Sequence, residues 1–136
     1  MSAATVLSRY GTVQMTTSSP GQVLVMLYDG LFRFLGEAKA AIQARDRARS
    51  GERIGRAHAI LDLLASTLEP SHAPELCENL QGLYLFCMSR LVTANVKQDA
   101  AAVDEVLRVL SPLREAWREA VARVAETPQK AKPQAR

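Results

Sequence analysis

Apolar residues recur at helical spacing in four stretches of this chain, and short polar breaks separate the stretches. Residues three and four positions apart lie on one face of a helix, so each stretch predicts an amphipathic helix with a buried stripe. The predicted helices span residues 20–48, 52–68, 74–97 and 100–125. Helices joined by links of about two to six residues are typical of antiparallel neighbours in a bundle. The pattern therefore predicts an all-α fold, an antiparallel four-helix bundle.

Local signals mark several boundaries of these helices. Ser19, Pro20 and Gln22 have the spacing of a capping box with proline at the first helical position. Ser50-Gly51 predicts the end of the first helix. Pro112 lies inside the last helical pattern, where a proline removes a backbone hydrogen bond. The apolar period continues through it, which predicts a kink, and the alternative is two short helices.

The first and third predicted helices carry more apolar residues than one buried stripe requires. The first helix has a core-facing stripe of Leu24, Leu27, Leu31, Leu35, Ala38 and Ile42. Its second apolar face comprises Val23, Val25, Met26, Tyr28 and Phe32. The third helix is apolar on additional sides through Leu85, Phe86, Val92 and Val96. Such surplus apolar surface predicts a groove for an amphipathic helix of a partner, unless the helices bury each other or form a homodimer interface.

The bundle, residues 20–125, is expected to lie between an extended N-terminal arm, residues 1–19, and a disordered C-terminal tail, residues 126–136. The tail contains prolines and lysines but no apolar stripe, which is typical of disorder. The arm is rich in Ser and Thr, but four apolar residues are spaced along it: Leu7, Tyr10, Val13 and Met15. The arm is therefore either a mobile terminus with incidental apolar residues or a segment that lies reversibly in an apolar groove.

Charge and length exclude one class of function. The chain has 136 residues, enough for one domain with a modest core, and a net charge of +3. Lys130, Lys132 and Arg136 against Glu126 give the tail a surplus of two, so the rest of the chain carries only one. A nucleic-acid binder would collect positive charge on one face or groove, so nucleic-acid binding is not expected.

The two cysteines indicate the cellular compartment. Cys77 and Cys87 are ten residues apart on the third predicted helix. A rise of about 1.5 Å per residue separates them by roughly 15 Å, which is too far for a disulfide bond. Two reduced cysteines, no visible signal peptide and no apolar run of about 18 residues predict a cytoplasmic protein without membrane insertion.

No arrangement of residues predicts catalysis, a metal or a cofactor. Glu69 and His72 have the spacing of a di-iron motif, but Pro70 breaks the helix that the motif requires. His58 could belong to a phosphotransfer site, but apolar and then acidic residues follow it, where such a site requires a small residue and a lysine. An i,i+4 pair of His58 with Asp62 is the simpler interpretation. The chain is therefore not expected to be an enzyme or to bind a cofactor.

Three segments share the order and spacing of one family's motifs over about residues 7–120. The first is Ser18-Ser19-Pro20, an apolar run, Met26-Leu27-Tyr28-Asp29-Gly30 and Arg33-Phe34-Leu35. The second is Arg90-Leu91-Val92-Thr93-Ala94-Asn95, and the third is Leu113-Arg114-Glu115-Ala116-Trp117. Together they resemble the flagellar export chaperone family FliS.

The resemblance implies a cytoplasmic type III export chaperone that binds a client, the disordered C-terminal segment of flagellin. Such a chaperone prevents premature polymerisation, keeps flagellin export-competent and interacts with the flagellar export gate when loaded. The unloaded protein is expected to be a monomer or a weak dimer. The alternative is a self-associating helical bundle without flagellin binding, whose second apolar faces form a dimer interface.

The expected client-binding residues lie in the arm and on the surplus apolar faces. They are Leu7, Tyr10, Val25, Met26, Tyr28, Phe32, Leu85, Val92, Asn95 and Val96. The family has a tyrosine at the position of Tyr10, which favours an arm that lies in a groove.

Overall fold

The computed structural model describes residues 19–126, which form four α-helices. We number them α1, Pro20–Gln43; α2, Arg47–Ser66; α3, Pro74–Lys97; and α4, Ala100–Glu126. The predicted all-α fold is confirmed, and residues 19–126 contain no strand. Most of the predicted arm, and the predicted tail after its first residue, lie outside the described residues.

Each helix packs against its neighbours along the chain, and α4 closes the bundle against α1. Two ion pairs give the relative direction of α1 and α4. Arg114 Nη2 lies 2.8 Å from Asp29 Oδ1, and Lys39 Nζ lies 2.9 Å from Asp104 Oδ1. A later residue of α1 therefore faces an earlier residue of α4, as in an antiparallel pair. Helices α1 and α3 lie diagonally across the bundle, as do α2 and α4.

The prediction that the first helix continues to Ala48 is wrong, because α1 ends at Gln43. Arg45 adopts a left-handed conformation with φ of 60°. The N–H of Arg45 donates to the carbonyl of Ile42, and the N–H of Asp46 donates to that of Ala41 at 2.8 Å. This pair of bonds is the Schellman motif, which satisfies the last carbonyls of a helix and reverses the chain.

The second helix accordingly begins at Arg47 rather than Glu52. Asp46 is its N-cap, and its Oδ1 accepts a hydrogen bond of 3.1 Å from the N–H of Arg49. Ser50 and Gly51, which we interpreted as a stop signal, lie inside α2. Ser50 is buried, and its hydroxyl donates to the carbonyl of Arg47 instead of capping a helix.

Helix α4 runs without interruption through Pro112. The alternative of two short helices is therefore wrong. The apolar stripe continues on both sides of the proline, with Leu110 buried before it and Leu113 partly buried after it. Packing of this stripe holds α4 together at a position where the proline itself cannot donate a backbone hydrogen bond.

The core-facing stripes of the four helices meet in one cluster. Its fully buried side chains include Leu31, Leu35, Leu61, Leu91, Val103, Val106 and Leu110. Cys87 is buried in this cluster and Cys77 is partly buried outside it, and both thiols are free. The core is thus aliphatic apart from two buried tyrosines described below, in line with an aromatic content of only 5%.

Candidate functional site

An apolar groove lies where the start of α1 meets the end of α4, and we call it the α1–α4 groove. One part, with a volume of about 500 Å³, is lined by Gln22, Val25, Met26, Arg118, Val121, Ala122 and Ala125. The other part, of about 540 Å³, is lined by Ser19, Pro20, Gly21, Gln22, Trp117, Ala120, Val121, Val124 and Ala125. Because Val121 lines both parts, they form one continuous apolar surface.

Local sequence fixes the α1 side of this groove. Ser19 and Gln22 form the predicted capping box: the Gln22 N–H donates to Ser19 Oγ, and the Ser19 N–H donates to Gln22 Oε1. A Cβ atom on Gly21 would lie only 3.2 Å from Cγ2 of Val121. The glycine therefore allows the two helices to approach closely at this end of the bundle.

The groove exists because α4 extends past the start of α1. Gly21 packs against Val121, so Val124 lies beyond the first turn of α1. Val124 is 63% exposed and Met26 is 51% exposed. Exposed apolar side chains that join into one continuous patch, as opposed to single ones, mark a surface that receives a partner.

A second apolar surface, the α3 apolar face, consists of Leu85, Phe86, Val92 and Val96. Val92 follows Leu85 by seven positions, and Val96 follows Val92 by four. These spacings place all three on one side of the helix. Their exposed fractions are 50%, 52% and 67%. Phe86 continues the surface to one side and is 42% exposed. The face is separate from the α1–α4 groove, because α1 and α3 are diagonal in the bundle.

An ion-pair cluster joins α1 and α4 beside the groove. The Asp29 carboxylate accepts hydrogen bonds from Arg114 and Arg118, and the Arg114 guanidinium lies 4.5 Å from the centre of the Phe32 ring. Partial burial raises the pKa of Asp29, but the hydrogen bonds and charges of the two arginines outweigh it and lower that pKa overall. The cluster places Arg118 at the rim of the groove.

Tyr28, which we expected on the client-binding surface, lies in the core and is fully buried. Its hydroxyl oxygen is 2.6 Å from that of Tyr84, so one hydroxyl donates to the other across the diagonal of the bundle. Burial raises the pKa of both phenols, so both are neutral at physiological pH. Tyr28 therefore belongs to the core rather than to the exposed candidate surface.

The other predicted residues have diverse surroundings. Val25 and Met26 line the α1–α4 groove, and Phe32 is partly buried under Arg114. Asn95 is partly buried near the opposite end of the bundle, where its carbonyl accepts a hydrogen bond from Gln98 Nε2. Leu7 and Tyr10 lie outside the described residues.

The sequence analysis missed the three large apolar residues of α4 that line the groove: Trp117, Val121 and Val124. Their spacing continues the apolar stripe of the last predicted helix, so periodicity alone predicts that all three lie in the core. Trp117 does pack against the core, whereas Val124 is exposed. The available signal is helix length, since α4 has 27 residues and α1 has 24. When an apolar stripe is longer than the helix that packs against it, the last residues of the stripe remain exposed.

Other kinds of chemistry find little support among residues 19–126. These residues contain no group of three metal-ligating side chains. No described helix is long and apolar enough to span a membrane. Burial, and to a smaller extent the charge of Glu105, raises the pKa of the Cys87 thiol to about 11, so it is not a reactive thiolate. The arrangement is suited to binding apolar side chains.

Comparison with known proteins agrees with this picture. The family model described as flagellar protein FliS matches residues 3–124. The chain is 35% identical to the flagellar secretion chaperone FliS of Salmonella typhimurium, over 76% of this chain and 77% of that protein. It is 32% identical to the flagellar secretion chaperone FliS of Bacillus subtilis, over 82% of this chain and 83% of that protein. A crystal structure described as a flagellar chaperone from bacteria covers 88% of this chain and 97% of its own, with a TM-score of 0.72 at 20% identity, which shows the same fold.

Proposed function

This chain belongs to the FliS family of flagellar secretion chaperones, and from that premise we propose that it binds the C-terminal segment of flagellin. In this role the protein acts in the cytoplasm and prevents premature polymerisation of its client. It keeps flagellin export-competent and interacts with the flagellar export gate once loaded. The role requires binding rather than catalysis.

The observation that carries the proposal is exposed apolar surface on two diagonal helices. The α1–α4 groove and the α3 apolar face both present large side chains to solvent. An amphipathic helix docks in such a surface through apolar residues at helical spacing. A client that uses both surfaces must pass around the bundle, over α2 or α4, which requires a long segment without a folded structure of its own.

Energetics suit a partner that must later be released. Covering apolar surface contributes about 25 cal/mol per Å². A disordered segment loses conformational entropy when it becomes ordered on the chaperone, which offsets part of that gain. The net affinity is then lower than the buried area alone would give, and the export apparatus can take over the client.

The N-terminal arm lies outside the described residues, and we propose that Leu7 and Tyr10 anchor it in the α1–α4 groove of the unloaded protein. Ser19 supports this proposal, because it is both the N-cap of α1 and part of the groove lining. The chain therefore enters the bundle directly from the groove. An arm bound there would compete with the client for the same apolar surface.

Deletion of residues 2–15 is expected to increase aggregation of the free protein, because the groove would then be in contact with water. Calorimetry with the Tyr10→Ala variant would give the role of the arm during client binding. Tighter binding indicates that the arm only competes, and weaker binding indicates that the displaced arm also covers the client. Unchanged solubility together with unchanged affinity would contradict both.

The experiment that tests the proposed function is flagellin polymerisation followed by light scattering. An equimolar amount of the chain is expected to suppress polymerisation, and flagellin without its C-terminal segment is expected not to co-purify with it. Polymerisation at the same rate with and without the chain would contradict the proposal. A sedimentation measurement at low concentration tests the alternative, since a self-associating bundle would be a stable dimer without client.

A further inference from the structure

A basic recess lies at the end of the bundle opposite the α1–α4 groove. It has a volume of about 330 Å³ and is lined by Ile42, Arg45, Arg47 and Gln98. Arg49, in the first turn of α2, and Lys97, the last residue of α3, are neighbours of the lining residues along the chain. We call Arg45, Arg47, Arg49 and Lys97 the basic end; all four are exposed.

The cations of the basic end form no ion pair, unlike most other cations in the described part of the chain. Five of those other cations each have a carboxylate within 4 Å: Arg33, Lys39, Arg53, Arg56 and Arg90. Among residues 19–126, only the four cations of the basic end and Arg108 form no ion pair. Two carboxylates, Asp46 and Asp99, lie at this end, so positive charge remains in excess. Two helices start here and two end here, so their dipoles largely cancel and the field comes from side chains.

The backbone at Arg45 gives an independent reason to assign a role to this recess. With φ of 60°, Arg45 occupies the left-handed position of a Schellman motif, where glycine is the usual residue. No described residue forms a hydrogen bond, ion pair or ring contact with its side chain. An arginine thus occupies a position where the fold favours glycine, and its side chain makes no compensating bond with the described residues.

Gln98 provides the internal comparison, because it is the other non-glycine residue with positive φ among residues 19–126. Its side chain accepts a hydrogen bond from the Ser50 hydroxyl and donates one to the Asn95 carbonyl. The fold therefore explains glutamine at position 98. The fold gives no such reason for arginine at position 45. A ligand that binds the guanidinium would give one.

We propose that the basic end binds a carboxylate-rich segment of a partner protein, with Arg45 and Arg47 in contact with its acidic side chains. A guanidinium pairs with a carboxylate through two parallel hydrogen bonds, and two arginines in one small recess fit one or two such groups. The exposed neighbours Ala44 and Ala48 are too small to insert into a membrane. The lining contains no aromatic ring on which a base could stack, so single-stranded nucleic acid fits less well.

The partner is not a terminal segment of this chain. Residues 1–18 and 127–136 contain no Asp and no Glu. A second copy could offer Asp62, Glu69, Glu75 and Glu78, since residues 57–89 contain no Lys or Arg. That contact would join opposite ends of two bundles and continue into an open chain of copies, unlike a closed dimer. The inference goes beyond the proposed function, because the basic end offers exposed positive charge rather than apolar surface, and its recess lies at the end of the bundle opposite the α1–α4 groove. Lys97 follows Val96 and so borders the α3 apolar face, whereas Arg45 and Arg47 lie where α1 meets α2.

The test measures binding of a fluorescently labelled hexaglutamate peptide to the full chain at low ionic strength. The peptide is expected to bind and to be released by added salt. Arg45→Gly is expected to weaken binding by about fivefold or more through loss of a charge-assisted hydrogen-bonded pair. Its thermal midpoint should stay the same or rise, because glycine relieves the left-handed backbone. Arg47→Gln should weaken binding as well.

The matched control is Arg108→Gln, which removes one exposed, unpaired positive charge from α4. It should change hexaglutamate affinity less than twofold, a difference that about 0.4 kcal/mol would produce. Equal weakening by Arg108→Gln and Arg45→Gly would overturn the proposal, because net charge alone would then explain binding. Failure of hexaglutamate to bind at low salt would also overturn it.

Three further measurements test for other occupants of the recess. Tighter binding of a single-stranded oligonucleotide or of anionic lipid vesicles, lost in Arg45→Gly, would overturn the assignment to an acidic protein segment. Displacement of the peptide by inorganic phosphate at equal concentration would assign the recess to a small anion instead. Salt-sensitive growth in mass of the chain alone, absent in Arg45→Gly, would assign it to a second copy. Flagellin binding by Arg45→Gly should be unchanged, so this test and that of the proposed function fail independently.

Discussion

Replacement of Val92 by Asp is expected to weaken flagellin binding about 10- to 100-fold, equivalent to about 1.4–2.8 kcal/mol, without loss of stability. Val92 lies at the centre of the α3 apolar face and is 52% exposed. In the free protein an aspartate there would be hydrated. In the complex its carboxylate would be covered by apolar client side chains and would lose water without gaining a partner.

The control for this variant is Asn79→Asp on the same helix. Asn79 is exposed and is not one of the residues of the α3 apolar face. It lies about two helical turns before Phe86 and roughly 20 Å along the helix axis from Val92. The variant adds the same negative charge to α3 and is expected to change client affinity less than twofold, which is less than about 0.4 kcal/mol. If both variants weaken binding equally, long-range charge rather than apolar contact is responsible, and the assignment of this face is wrong.

Replacement of Tyr28 by Phe is expected to lower the free energy of unfolding by about 1–3 kcal/mol, the cost of a buried polar group without a partner. The change leaves the Tyr84 hydroxyl buried without its hydrogen-bond partner. It also removes the hydroxyl close to the indole N–H of Trp117, a buried donor with no other partner. Urea denaturation measures the loss, and Trp117, the single tryptophan, supplies the fluorescence signal.

The double variant Tyr28→Phe, Tyr84→Phe is the decisive comparison. It removes both hydroxyls and leaves two aromatic rings of nearly the same shape in the core. Removal of both partners of a buried hydrogen bond is often nearly neutral, so the double variant should cost less than the two single variants added together. Strictly additive costs would show that the two hydroxyls do not stabilise each other across the bundle.

The helices were predictable from sequence because each buries one continuous stripe at helical spacing. Leu31 and Leu35 of α1 are buried, as the stripe of the first predicted helix indicates. The end of α1 was not predictable in the same way, because Asp46 and Ser50 are both good N-caps and Arg45 is an unusual residue for a left-handed turn. In the folded chain Asp46 caps α2, and Ser50 is buried inside that helix with its hydroxyl 3.2 Å from Gln98 Oε1.

The candidate site was only partly predictable for a related reason. The pattern along α1 places Tyr28 on its second apolar face. Only the folded structure shows that the Tyr84 hydroxyl of α3 lies within hydrogen-bond distance of it. In the same way, Val124 continues a core stripe in the sequence, and only its position beyond the start of α1 leaves it exposed. Periodicity gives the face of one helix, whereas exposure depends on where its neighbours end.

The most direct test of the central claim is titration calorimetry of the full chain with a peptide that comprises the flagellin C-terminal segment, at several temperatures. We predict saturable one-to-one binding with a negative heat-capacity change, because apolar surface on both partners is removed from water. Val92→Asp should weaken this binding and Asn79→Asp should not. Absence of binding, or binding with the same affinity after charged substitutions in both the α3 apolar face and the α1–α4 groove, would contradict the claim.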